Sequence, residues 1–120
     1  MLTLKEKTDA IVEALEEIKG NDIVVIDTSK KSTLFDRMII ASANSTRQTR
    51  ALAHNVEKRL IERGVTVYSS EGEKSGEWVL LDLGEVLVHV MQPGVRAYYS
   101  LEELWSKHPT PVAAPAPTKP

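Results

Sequence analysis

The chain has 120 residues, enough for one domain around a single core, and its 42% hydrophobic and 27% charged content is that of an ordinary globular protein. The absence of cysteine excludes disulfides, thiolate metal sites and cysteine nucleophiles, and no apolar run approaches the roughly 20 residues that span a bilayer. With a net charge of −2 and no basic-then-apolar leader at its N-terminus, the chain is expected to be cytoplasmic, without membrane contact.

Thr3-Leu4-Lys5-Glu6 has the form of a capping box, and Leu4, Ile11, Leu15 and Ile18 then fall on one face of a helix of about four turns. Gly20 is expected to stop it. Ile23-Val24-Val25-Ile26 is an unbroken β-branched run, which predicts a strand covered on both faces and therefore central. Residues 27 to 36 form a polar turn region, and Met38-Ile39-Ile40-Ala41 a second buried strand. Ser45-Thr46-Arg47-Gln48 is a second capping box. It opens a helix striped with Thr49, Leu52, Ala53, Val56 and Leu60, closed by Gly64. Val65 to Tyr68 alternates like a short strand, which could pair across two chains into a homodimer. A polar loop from Ser69 to Gly76 follows. Residues 77–83 and 85–91 then predict a hairpin with a tight turn at Leu83-Gly84. Gln92-Pro93-Gly94 breaks the second strand, and Ser100-Leu101-Glu102-Glu103 is a third capping box before a short helix bearing Leu104 and Trp105. Five of the six prolines lie between Pro109 and Pro120, so residues 107–120 read as a disordered, partly polyproline II tail. The fold class is α/β (α+β): one domain over residues 1–106, with helices flanking a mixed sheet of about five strands.

Catalytic constellations are missing from this pattern. His54, His89 and His108 have no metal-ligand spacing, and neither HExxH, GxSxG nor a phosphate-binding glycine loop occurs. Asp27 and Asp36 could pair on a divalent metal, as a nucleotidyltransferase would require, but aspartate as a turn former accounts for both. The Asn44-Ser45 junction could face an anion, yet helix capping accounts for Ser45. No enzyme activity, metal or cofactor is expected.

The charges are unevenly spread. Residues 28–63 hold eight Lys/Arg against three Asp/Glu, whereas residues 71–103 hold seven acids against Lys74 and Arg96. An RNA-binding face from Lys30 to Arg63 is one alternative. A chain that is negative overall gains little from phosphate contacts, so no direct nucleic-acid specificity is expected. The acidic half instead favours a basic protein partner, unless both halves are simply solvated faces.

Alternation in the hairpin puts Trp78, Leu80 and Asp82 on one side and Val79, Leu81 and Leu83 on the other. On the next strand Val86, Val88 and Val90 oppose Leu87, His89 and Met91. Trp78 can serve a core or an interface equally well. Glu71, Glu73, Glu77, Asp82 and Glu85 cannot all lie in a core, and would form an acidic rim around an apolar centre. His89 fits a buried position with satisfied hydrogen bonds better than a direct contact, and of Tyr98 and Tyr99 one should pack inward.

Glu71-Gly72, the run from Trp78 through Leu83-Gly84-Glu85 to His89-Val90-Met91, Arg96, and Tyr99-Ser100-Leu101-Glu102-Glu103-Leu104-Trp105 together resemble the signature of the ribosomal silencing factor (Iojap-like) family. Met38 to Gln48 resembles that family's second strand and the junction into its long helix, so the resemblance covers about residues 5 to 106. It implies a nucleotidyltransferase-like fold without the catalytic residues. It also implies binding to the large ribosomal subunit through ribosomal protein L-14, obstructing the small subunit and lowering translation when nutrients are short or in stationary phase. On that resemblance the partner-binding positions are Glu71, Trp78, Leu80, Asp82, His89 and Tyr99. The Pro-rich tail lies outside the family pattern.

Overall fold

A computed structural model describes residues 1–106; the proline-rich tail expected to be disordered lies outside the described residues. Helix α1 (Leu4–Glu17) starts with a closed capping box: Thr3 Oγ1 accepts from the Glu6 N–H at 3.1 Å, and Glu6 Oε1 accepts from the Thr3 N–H at 2.9 Å. Its end departs from expectation. Lys19, not Gly20, takes the left-handed conformation (φ +64°), and the N–H groups of Lys19 and Gly20 bond back to the carbonyls of Glu16 and Leu15. Gly20 is there for closeness, because a Cβ would sit 3.1 Å from the Leu15 carbonyl oxygen and 3.3 Å from Leu52 Cδ2.

Helix α2 (Thr46–Glu62) is capped by Ser45, whose Oγ accepts from the Gln48 N–H at 3.0 Å. The second half of the expected box is redirected. Gln48 Oε1 accepts from the Asn44 N–H at 2.7 Å, and its amide nitrogen donates to the carbonyls of Ile18 and Lys19. One side chain thus ties the start of α2 to the end of α1.

The strands β1 (Asn21–Asp27), β2 (Arg37–Ser42), β3 (Ser69–Glu71), β4 (Trp78–Asp82) and β5 (Val86–Met91) form one mixed sheet in the order β1-β2-β5-β4-β3, as expected of an α+β domain. Only β2 and β5 run parallel. The hairpin lies where the sequence puts it, and Asp82 Oδ1 accepts from the Gly84 N–H at 2.9 Å across its turn, where Gly84 sits at φ +90°.

Three expectations are corrected. β1 is an edge strand, not a central one: Ile26 is buried, but Val25 is 44% exposed. Residues 65–68 are not a strand, because Val65 and Val67 pack onto the helical layer and pairing begins only as the Tyr68 N–H reaches the Asp82 carbonyl. The strand there is β3, inside what reads as a polar loop. Nor does Ser100 open a capping box. A further helix, α3 (Pro93–Tyr99), precedes it with Pro93 in its first turn, and Ser100 terminates that helix in a left-handed conformation (φ +48°), its hydroxyl donating to the Ala97 carbonyl. Helix α4 (Leu101–Ser106) follows at once.

The sheet separates two apolar layers. Ile39, Ala41, Val79, Leu81, Val86, Val88 and Val90 face α1 and α2, where Ile11, Leu15, Leu52, Val56 and Leu60 complete the main core. Ile26, Met38, Ile40 and Met91 face the other way, under Val95, Leu101 and Trp105 of the C-terminal helices. Arg96 locks that second layer: its guanidinium is buried, donating to Ser42 Oγ at 2.8 Å and to Glu102 Oε2 at 3.0 Å. Among the described residues no helix is long and apolar enough to cross a membrane.

Candidate partner-binding surface

The second face of the sheet is covered unevenly. Over β1 and β2 it carries α4, with Trp105 packed against Phe35 at 5.3 Å between ring centroids and planes inclined by 59°. Over β4 and β3 the face is more open. Trp78, Leu80 and Asp82 of β4 are only partly buried there, and Glu71, register partner of Leu80, is exposed. The hairpin register sets Leu80 opposite His89 and Trp78 opposite Met91, so the Trp78 and His89 side chains meet on the diagonal of one face.

That meeting is specific. The Trp78 indole N–H donates to His89 Nδ1 at 3.0 Å, and the Trp78 ring lies 4.9 Å from Tyr99 with planes inclined by 48°. Tyr98 meets Tyr99 edge-on at 5.0 Å. Tyr98 and Tyr99 are 55% and 39% exposed, so neither packs fully inward and the aromatic row runs from the sheet out to solvent.

His89 itself is only 6% exposed, so it can offer a partner almost no surface. Burial pulls its pKa down to about 4, which keeps the ring neutral. The consequence for stability has a definite sign. The unfolded chain binds a proton near the ordinary histidine value of about 6.5, whereas the native ring resists it down to about 4. The native state is therefore at no disadvantage above about pH 6.5 and loses stability progressively as pH falls toward 4. Replacing His89 by Gln should flatten that decline by roughly 3 kcal/mol at most, measured as the difference between wild-type and variant denaturation across that window.

The acids divide in a way that charge counting does not reveal. Glu73 is turned toward α2: Ser70 Oγ donates to it, His54 Nε2 lies 3.6 Å away, and Glu57 stands beside it. The Ser70 hydrogen bond lowers the Glu73 pKa, while burial and the Glu73 charge raise that of Glu57. Arg50 holds the same loop through its backbone, donating at 2.8 Å to the carbonyls of both Glu73 and Lys74. Glu85 lies 3.5 Å from Lys7 of α1. The rim available around Trp78 therefore narrows from five acids to Glu71, Glu77 and Asp82, and Asp82 also caps its own turn.

The other sequence candidates lie elsewhere. Asp27 accepts from the Ser29 N–H and hydroxyl and is 3.1 Å from Arg37, while the Asp36 carbonyl pairs with the Thr28 N–H. Among the described residues no group of three or more His, Asp or Glu side chains is arranged to hold a metal ion. What the sequence reading missed is α3, which brings Tyr99 onto Trp78. Its signal was present: a proline that breaks a strand is also a favoured first residue of a helix.

Comparison with known proteins accords with this frame. The family model described as "Ribosomal silencing factor during starvation" matches residues 2–119. The protein "Ribosomal silencing factor RsfS" of Chromobacterium violaceum is 53% identical over 104 residues, 87% of this chain and 85% of that protein. A crystal structure of a C. violaceum protein superposes with a TM-score of 0.86 at 49% identity, covering 94% of this chain and 95% of the other. The mouse "Mitochondrial assembly of ribosomal large subunit protein 1" is 32% identical over 101 residues, which are 82% of this chain and 44% of that protein. From its helix caps to its Trp-to-His hairpin, this chain belongs to the ribosomal silencing factor family.

Proposed function

We propose that the protein lowers translation by binding the large ribosomal subunit through ribosomal protein L-14 and excluding the small subunit sterically, with no chemical turnover. The observation that carries the reading is the aromatic row of Trp78, Tyr99 and Tyr98, left partly open on a sheet face whose other half is sealed by α4. Large aromatic side chains held on a rigid scaffold provide contact area at a small entropic cost. Glu71, Glu77 and Asp82 beside them suit a basic partner, steering its approach more than fixing its affinity. The mouse relative, for its part, is named for assembly of the ribosomal large subunit.

Immobilised ribosomal protein L-14 should capture the protein without RNA present. Raising salt should slow association more than it speeds dissociation, because the acids lie at the rim. Capture of naked ribosomal RNA with a steep salt dependence, and none of the isolated protein, would replace this reading with RNA binding.

A further inference from the structure

His89 presents an oddity that its place in the hairpin does not explain. A neutral imidazole that accepts at Nδ1 carries its proton on Nε2. Here Nε2 is buried and meets no hydrogen-bond partner among the described residues. An orphaned buried donor is destabilising, and an apolar residue of similar size between Ile40 and Leu80 would remove it. Among the described residues only Nδ1 of the ring's two nitrogens is engaged, and its partner is the indole N–H of Trp78. Trp78 in turn is the ring against which Tyr99 rests, and Tyr99 carries Tyr98.

We infer that His89 is a positioning residue for the partner-binding surface: it touches no partner, but fixes the Trp78 indole in one orientation and through it the partly exposed Trp78–Tyr99–Tyr98 row. The inference rests on the proposed reading of that row as the contact surface. Without the Nδ1 acceptor, the indole keeps its place in the chain but gains freedom about its side-chain torsions, since its freed N–H, on a half-buried ring, can turn to water. Binding must then fix a ring that is already fixed in the native protein, which costs affinity and leaves the fold intact. A residue retained only for packing behaves in the opposite way: its loss lowers stability first.

The test uses the full chain, with His89→Leu to remove the acceptor and the orphan donor together, and His89→Gln to restore an acceptor. Two readouts are taken: hydrogen exchange of the Trp78 indole N–H by NMR, and affinity for isolated ribosomal protein L-14. His89→Leu should speed that exchange and weaken binding about 2- to 10-fold, with a melting temperature equal to or above wild type, and His89→Gln should recover part of both. On a Trp78→Phe background, which has no indole N–H, His89→Leu should change binding no further. Unchanged indole exchange in His89→Leu would overturn the inference, as would an undiminished effect on the Trp78→Phe background. If Trp78→Ala weakens binding and His89→Leu does not, the His89 role fails alone. If Trp78→Ala binds like wild type, the contact-surface reading fails and this inference falls with it.

Discussion

Trp78→Ala is expected to weaken binding to ribosomal protein L-14 by about 2 kcal/mol or more, some 30-fold in affinity, while the variant remains folded. The two parts of that expectation have separate causes. Trp78 is only partly buried and lies beside Tyr99 at the edge of the second layer, so truncating it opens little of the main core between the sheet and helices α1 and α2. Its loss removes the ring on which Tyr99 rests and leaves His89 Nδ1 without its donor. A titration by surface plasmon resonance paired with a circular dichroism melt separates the effects. Wild-type affinity in a folded variant would remove Trp78 from the contact.

The second large effect falls on stability. Gly72→Ala should destabilise the protein by about 2–4 kcal/mol, from backbone clash and from an alanine forced into a left-handed conformation. Gly72 has φ +91°, and a Cβ there would lie 2.0 Å from the Trp78 carbonyl oxygen. Neither atom can give way locally, because one belongs to the β4 backbone and the other follows directly on β3. Relief requires Glu71 to part from Leu80, which unpairs the end of β3 and shifts the face that carries Trp78. Chemical denaturation should therefore show a lowered midpoint. A melt superimposable on wild type would mean that the β3–β4 turn adapts more freely than its geometry implies.

The division between what was legible in the sequence and what was not follows the range of each interaction. Helix caps are local, so Thr3, Ser45 and Gly64 declare themselves from a few neighbours. The hairpin is local too, and its alternation puts Val86, Val88 and Val90 on one side, which in the structure is the side that faces the helices. Neighbour order in a sheet is not local. Ile23 to Ile26 has the composition of a central strand, yet β1 ends at an edge, with Val24 and Ile26 packed on the layer of Met38 and Ile40 and Val25 turned outward. The proline at 93 carried two meanings, and only the proximity of Tyr99 to Trp78 shows which applies. Charge was misleading for the same reason. Glu73 and Glu85 count toward an acidic surface in the sequence, but α2 and Lys7 draw them away from the open face. The Trp78–His89 hydrogen bond joins residues eleven apart in sequence that the hairpin register brings together. The apolar neighbours of His89 in sequence favour a buried position, but they do not name Trp78 as its donor.

Exclusion of the small subunit can be read from sucrose-gradient sedimentation. Purified subunits are mixed under joining conditions with excess protein. The protein should travel with free large subunits, be absent from joined ribosomes, and reduce the joined peak, with Trp78→Ala doing none of these. Protein found on joined ribosomes in the same proportion, or full joining at saturating protein, would contradict it.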